Sequence, residues 1–235
     1  MTEIRLHTDG GPLVWNATVH RDLAEAFTSV GLDESTKVVI LTGTGEDFCA
    51  SIDRASFREA VRGWDVTWFE GRRMLTSLWE IDVPVISAIN GPALIHSELA
   101  VMADVVLACP TTVFADKAHF VSGVVPGDGV HIVWTELLGP TRGRYFLLTG
   151  TEIDAAEALR LGVVHEIHSP DALSTRAWEL AADMARHPLP VLRYTRTALS
   201  MRWRRTVADE LSHGLAVEGL GQYAQGHVAR TNGGA

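Results

Sequence analysis

Short unbroken apolar runs alternate along the chain with longer stretches whose apolar positions recur every three or four residues. Val38-Val39-Ile40-Leu41-Thr42, rich in β-branched residues and closed by Gly43-Thr44-Gly45, predicts a parallel strand buried on both faces. Pro84-Val85-Ile86-Ser87-Ala88-Ile89, ended by Asn90-Gly91, predicts a second, Asp104 to Ala108 a third and Val113 to Asp116 a fourth. Between them the period is helical: Leu23, Ala26, Phe27 and Val30 within His20 to Val30, and Phe69, Met74, Leu75 and Leu78 within Trp68 to Trp79. Ile95 to Ala103 predicts a shorter helix. The last third is helical, with Asp154 to Leu161 stopped by Gly162 and Asp171 to His187 stopped by Pro188 and Pro190. Arg193 to Ala224 predicts one or two more helices. Strands interleaved with helices, then helices alone, make an α/β fold: a mainly parallel sheet with a helical C-terminal extension. No repeat and no Ser/Gly-rich linker interrupts it, so residues 1–190 are expected to form the core. Residues 191–235 would be a helical region of the same domain, acting as a lid or a trimerisation element.

Composition narrows the setting. The 235 residues are 46% hydrophobic and 21% charged, an ordinary globular balance. Twenty basic against 29 acidic residues give a net charge of −9, which argues against a nucleic-acid surface. Arg202, Arg204 and Arg205 read as a solvated helix face. Cys49 and Cys109 show no metal-ligand spacing, and a reducing, cytoplasmic setting is expected. Met1 to Gly11 carries no signal-peptide pattern. The longest apolar run, Val83 to Leu99, is broken by Pro84, Asn90, Gly91, Pro92 and His96, so no membrane span is expected.

Candidate chemistry sits at two glycine turns and on one helix. Asn90-Gly91-Pro92-Ala93 and Pro126-Gly127-Asp128-Gly129 are tight turns; a strand-to-helix turn leaves backbone N–H groups able to hold an anionic oxygen, though glycine there also serves tight turning alone. His96 and His119 lie among apolar neighbours, where a histidine is either a satisfied core residue or an active one. Asp128 is equally at home as a turn residue. Glu218 says more: on a helix it falls with Val207, Leu211 and Leu215 inside one arc of about 80°. A carboxylate within an apolar stripe is costly unless a partner receives it.

Three stretches in order carry a family resemblance: Lys37 to Asp53 (KVVILTGTGEDFCASID), Pro84 to Ala93 (PVISAINGPA) and Glu98 to Ala108, continued by Thr149 to Glu166. They resemble the crotonase (enoyl-CoA hydratase/isomerase) superfamily over about residues 12–200. The resemblance implies a spiral of ββα units, usually assembled as a homotrimer or a dimer of trimers. It departs from the thioester-binding pattern in three places. Ile95-His96-Ser97 replaces the glycine run before the family glutamate that Glu98 matches; His119 stands where hydratases place a catalytic glutamate; and Asp128 follows Pro126-Gly127 where a small residue is usual. Asp116-Lys-Ala-His-Phe120 through Val125-Pro-Gly-Asp-Gly-Val-His131 is similar to the β-diketone hydrolases of the oxocamphor-hydrolase type.

By position, His96, His119, Asp128 and Glu218 then correspond to that branch's site residues and Trp15 to its tryptophan, after an abbreviated N-terminal hairpin. The implied reaction is retro-Claisen hydrolysis of a small cyclic or bicyclic diketone, with no cofactor and no metal. His119 would be the general base, Asp128 would hold its other ring N–H, and His96, Trp15 and the Ile52 backbone N–H would bind the enolate oxygen. Glu218, from this chain or a neighbouring subunit, would position water or a histidine. A CoA-dependent hydratase or isomerase is the runner-up, followed by a metal site on His96, His119 and Asp128 and by a non-catalytic role. Trp64, Trp68, Phe69 and Trp134 could be pocket walls or core.

Overall fold

The computed structural model describes residues 1–59 and 63–232. In chain order the elements are β1 (Thr2–Arg5), β2 (Val14–Trp15), α1 (Ala17–Leu32), β3 (Val39–Thr42), β4 (Ser51–Ile52), α2 (Arg54–Glu59) and α3 (Trp64–Glu80). Then come β5 (Val85–Ile89), α4 (Ser97–Val101), β6 (Val105–Ala108), β7 (Val113–Phe114), a short 3₁₀ turn at Phe120–Ser122, α5 (Val130–Leu138) and α6 (Pro140–Thr149). The chain closes with β8 (Ile153–Asp154), α7 (Ala155–Arg160), β9 (Glu166–Ile167), α8 (Pro170–Ala185), α9 (Leu189–Leu199) and α10 (Met201–Asn232).

Five strands form one parallel sheet in the order β1-β3-β5-β6-β9. All four residues of β3 and all five of β5 are buried, because both faces are covered. One face turns Val38, Ile40, Ile86, Ala88 and Leu107 onto Leu173, Ala177 and Ala181 of α8. Alternate residues, Val39, Leu41, Val85 and Ile89, join the larger core with Phe27, Met74 and Leu75 on the other side. This two-sided burial is the physical reason those runs are continuously apolar rather than alternating.

Beyond the C-terminal ends of these strands lies a second, smaller layer. β2 pairs with β4, single bridges join Cys49 to Ala93 and Ala93 to Phe114, and β7 pairs with β8. Main strand, short strand, helix is thus repeated, giving the spiral of ββα units with a helical C-terminal extension that the resemblance implies. Four particulars differ from the sequence reading. The N-terminal segment is no true hairpin: β1 lies parallel to β3, and Thr8 and Gly11 make only an isolated bridge. The fourth strand stops at Phe114, which frees Asp116 from the ladder. The short helix starts at Ser97, after His96. The pair α5–α6, hinged at Gly139, was not anticipated. As expected for the end of the chain, two helices follow, the second 32 residues long. Among the described residues no helix is long and apolar enough to cross a membrane.

Candidate active site

A cavity of about 820 Å³ opens between β4, α3, the loop that carries His119 and Asp128, and α10. Trp15, Ile52, His96, His119, Asp128 and Glu218, the six residues singled out from the sequence, all contribute to its wall. Each reaches it by a different local device.

His96 occupies the left-handed region, φ 47° and ψ 45°, immediately before α4. That conformation costs a non-glycine residue roughly 1–2 kcal/mol and explains why a glycine run suits this turn elsewhere. Here it lays the imidazole on the Trp15 ring, centroids 3.8 Å apart and planes inclined by 31°. His96 Nδ1 lies 2.8 Å from Glu98 Oε1 and 3.2 Å from Asp128 Oδ2. His119 follows Asp116 by three residues in the loop beyond β7, and Asp116 Oδ1 accepts from its backbone N–H at 3.3 Å and meets its Nδ1 at 2.8 Å. The other nitrogen, Nε2, faces Asp128 Oδ2 at 3.1 Å.

Asp128 stands between the two histidines because its turn presses onto α10. A Cβ on Gly127 would run into the Gly214 backbone carbonyl and come within 2.8 Å of Glu218 Cβ. Gly129, at φ 115°, takes a conformation that L side chains rarely adopt. Helix α10 is fastened from the other side by two indoles, Trp64 Nε1 donating to the Leu215 carbonyl at 3.0 Å and Trp68 Nε1 to that of Ser212 at 3.3 Å. Glu218 therefore enters the cavity from the same chain as the histidines. Of the four aromatics left open between wall and core, Trp64 lines the cavity and Trp134 is core, its Nε1 donating to Ser97 Oγ. Trp68 packs half-buried at the core edge, and Phe69 is exposed.

Two partners were missed by sequence reasoning. Asp116, not Asp128, orients the Nδ1 side of His119; the three-residue spacing from Asp116 to His119 was its signal. His20 is buried on the cavity wall, its ring edge-on to Trp15 at 6.0 Å and its Nδ1 3.4 Å from Glu70 Oε2. It falls on the same helix face as Leu23 and Phe27, the anomaly that exposed Glu218.

Electrostatics follow from this crowding. Burial pulls the His96 pKa down, but Glu98 and Asp128 outweigh it and the net shift is upward. His119 is pushed well above the usual histidine range, its burial overcome by the Asp128 charge and by hydrogen bonds to Asp116 and Asp128. Asp128 moves the other way: burial is overridden by the two imidazoles, which hold it ionised. Glu218 is raised to about 8, first by burial and then by the Asp128 charge. Its Oε2 is buried with no hydrogen-bond partner among the described residues, and so is Oε2 of Glu98. Donor atoms of His96, Glu98 and Asp128, and separately of His119, Asp128 and Glu218, lie within 4.8 Å of one another, close enough for a metal ion. The histidine–carboxylate distances in both groups, 2.8 and 3.1 Å, are equally those of shared protons.

Comparison with known proteins places this geometry. The family model described as enoyl-CoA hydratase/isomerase matches residues 13–224. Carnitinyl-CoA dehydratase of Proteus mirabilis is 34% identical over 173 residues, covering 72% of this chain and 66% of that protein. A protein named as a probable enoyl-CoA hydratase from Rhizobium meliloti is 29% identical over 199 residues, 83% of this chain and 76% of its own. Among solved structures, a β-diketone hydrolase from the cyanobacterium Anabaena sp. PCC 7120, bound to (S)-3-oxocyclohexyl acetic acid, superposes with a TM-score of 0.89 at 46% identity, covering 93% of this chain and 88% of that one. An enoyl-CoA hydratase/isomerase from Mycobacterium paratuberculosis gives 0.85 at 25% identity with the same coverage. The chain belongs to the enoyl-CoA hydratase/isomerase family and is an enzyme of the crotonase superfamily.

Proposed function

We propose that this enzyme hydrolyses the carbon–carbon bond of a cyclic or bicyclic β-diketone. The observation that carries the reading is Asp128 Oδ2 standing 3.1 Å from His119 Nε2 and 3.2 Å from His96 Nδ1 on the wall of one cavity. The likeness at 46% identity to a β-diketone hydrolase supports it. Against thioester chemistry, the family glutamate Glu98 is fully buried and commits Oε1 to His96, while His119 fills the second glutamate's place.

In this reading His119 removes a proton from water while Asp116 holds its Nδ1–H. The water oxygen bonds to one carbonyl carbon, the ring carbon–carbon bond breaks, and its electron pair passes into the second carbonyl as an enolate. Returning the proton to the enolate carbon leaves a keto acid. The Trp15 indole N–H, His96 through the nitrogen not spent on Glu98, and the Ile52 backbone N–H hold the enolate oxygen. Successive N–H groups along a strand point to opposite sides, and Asp53 N–H goes to the Trp15 carbonyl, so Ile52 N–H is directed away from β2. Glu218, neutral below about 8, offers water both a donor and an acceptor. The carboxylates of Asp116 and Asp128 raise the His119 pKa, so the reactive form is the one that has lost its proton and turnover rises on the alkaline side.

A panel of mono- and bicyclic β-diketones, followed by keto-acid formation beside crotonyl-CoA as control, tests the reading. His119→Ala is expected to lower kcat by about 10²–10⁴ and His96→Ala by about 10²–10³. Normal turnover in the His96 variant removes the oxyanion assignment. Hydration of crotonyl-CoA at an ordinary rate, with no diketone cleaved, decides for the hydratase.

A further inference from the structure

We propose that the substrate carries a carboxylate remote from its diketone, and that Arg54 binds this group at the cavity mouth; the inference rests on the diketone reading above. Three observations carry it. First, a cavity of about 820 Å³ suits a ligand of drug-like size and leaves space beyond a bare cyclic diketone. Second, the cavity is polarised along its depth. At the inner wall Asp128 faces both histidines, and Asp116 and Glu98 meet their Nδ1 atoms, so neither imidazole is left as an unpaired cation for a second anionic group.

Third, Arg54 is an exposed guanidinium on the cavity wall, and its Nη2 donates to the carbonyl of Ala118, the residue before His119, at 3.1 Å. The nearest carboxylate in sequence, Asp53, caps the following turn by accepting from the Ala55 and Ser56 N–H groups at 3.0 and 3.3 Å. Among the described residues no ion pair engages Arg54, and its planar fork keeps further donors for a ligand. The Ala118 tether also restrains the guanidinium before binding, so less freedom is lost when an anion arrives. Because the tether joins Arg54 to the residue beside His119, an anion held there fixes how far the diketone reaches toward His119. A substrate clamped this way enters ketone first.

The test compares a 2,2-disubstituted cyclohexane-1,3-dione bearing a side chain that ends in a carboxylate with its methyl ester, alike in shape and different in charge. In the wild-type enzyme the acid's KM is expected about tenfold below the ester's, with the preference shrinking as NaCl is added. Arg54→Gln brings the ratio of the two KM values to about unity, and Arg54→Lys keeps part of it. The ratio matters because loosening of the Ala118 loop would move both substrates together. Equal KM values in the wild type, or a preference that persists in Arg54→Gln, overturn the proposal. Calorimetric binding of the same acid and ester reads the preference without turnover. Arg54-dependent binding of an acid that is never cleaved would keep the anion site and remove the diketone reaction.

Discussion

Glu166 and Glu218 are the same side chain in the same protein, displaced in opposite directions. Glu166, on β9, is partly exposed and takes three charge-assisted hydrogen bonds: Arg176 Nε at 2.8 Å, Arg176 Nη2 at 3.0 Å and His168 Nε2 at 2.7 Å. Arg176 first and His168 second hold its pKa down to about 2. Glu218 is buried beside another carboxylate, and its pKa is raised to about 8. A partly exposed acid surrounded by donors is a finished ion pair, ionised across the neutral range and chemically quiet. A buried acid placed against an ionised acid keeps a proton near neutrality, the condition for acid–base work. The surface cluster is assembled from residues at most ten apart; the buried one needs four separate chain segments.

The contrast can be broken most severely at Asp128, whose charge raises both His119 and Glu218. Asp128→Asn should lower diketone turnover by about 10²–10⁴, because it removes the carboxylate that the proposed base and the proposed oxyanion-binding histidine share. Single-turnover rates, with circular dichroism to show an intact fold, check this; a variant within tenfold of wild type would dismiss a catalytic part for Asp128.

Glu218→Gln acts next, on stability. A carboxyl whose folded pKa is raised contributes fully below its unfolded value and loses that contribution as pH climbs through about 8. Urea unfolding should therefore show the glutamine variant more stable than wild type at pH 9 by on the order of 3 kcal/mol, relative to their difference at pH 4. A difference that does not change with pH would mean Glu218 is not held in an acid-favouring site.

Asp116→Asn removes one of the two carboxylates that hold the proton on His119. The alkaline rise of kcat/KM should move to lower pH, measured as a pH–rate profile from 6 to 10. Glu166→Gln is the smallest change: an exposed pair contributes at most about 1 kcal/mol. Its sign is the reverse of Glu218's, since a depressed carboxyl stabilises above its unfolded pKa and loses that effect as pH falls toward 2. Thermal melts at pH 7 and pH 2.5 should show the small deficit only at pH 7, with diketone turnover unchanged.

Several parts of the site were legible before any coordinates. The glycines around Asp128 announced a tight turn, the positions of His96 and His119 departed from the family's glycine run and glutamate, and Glu218 stood out in an apolar stripe. His20 carried the same signal on α1 and was read only as the start of a helix. Helices α5 and α6 were missed because Gly139 divides a stretch whose two halves are short. Asp116 was absorbed into a strand that ends at Phe114, which hid its contact with His119.

By itself the sequence determined the local elements: both-face burial leaves runs such as Val38 to Thr42 continuously apolar, and backbone sterics reserve conformations like that of Gly129 for residues without a Cβ. It also determined which residue types were available for chemistry. Only the tertiary structure decided their partners: that one Asp128 oxygen serves two histidines, that Asp116 takes the far side of His119, and that α10 settles on the Gly127 turn closely enough to bury Glu218. Those outcomes depend on distances between segments far apart in the chain and on how much water they exclude. Periodicity along one segment carries information about neither.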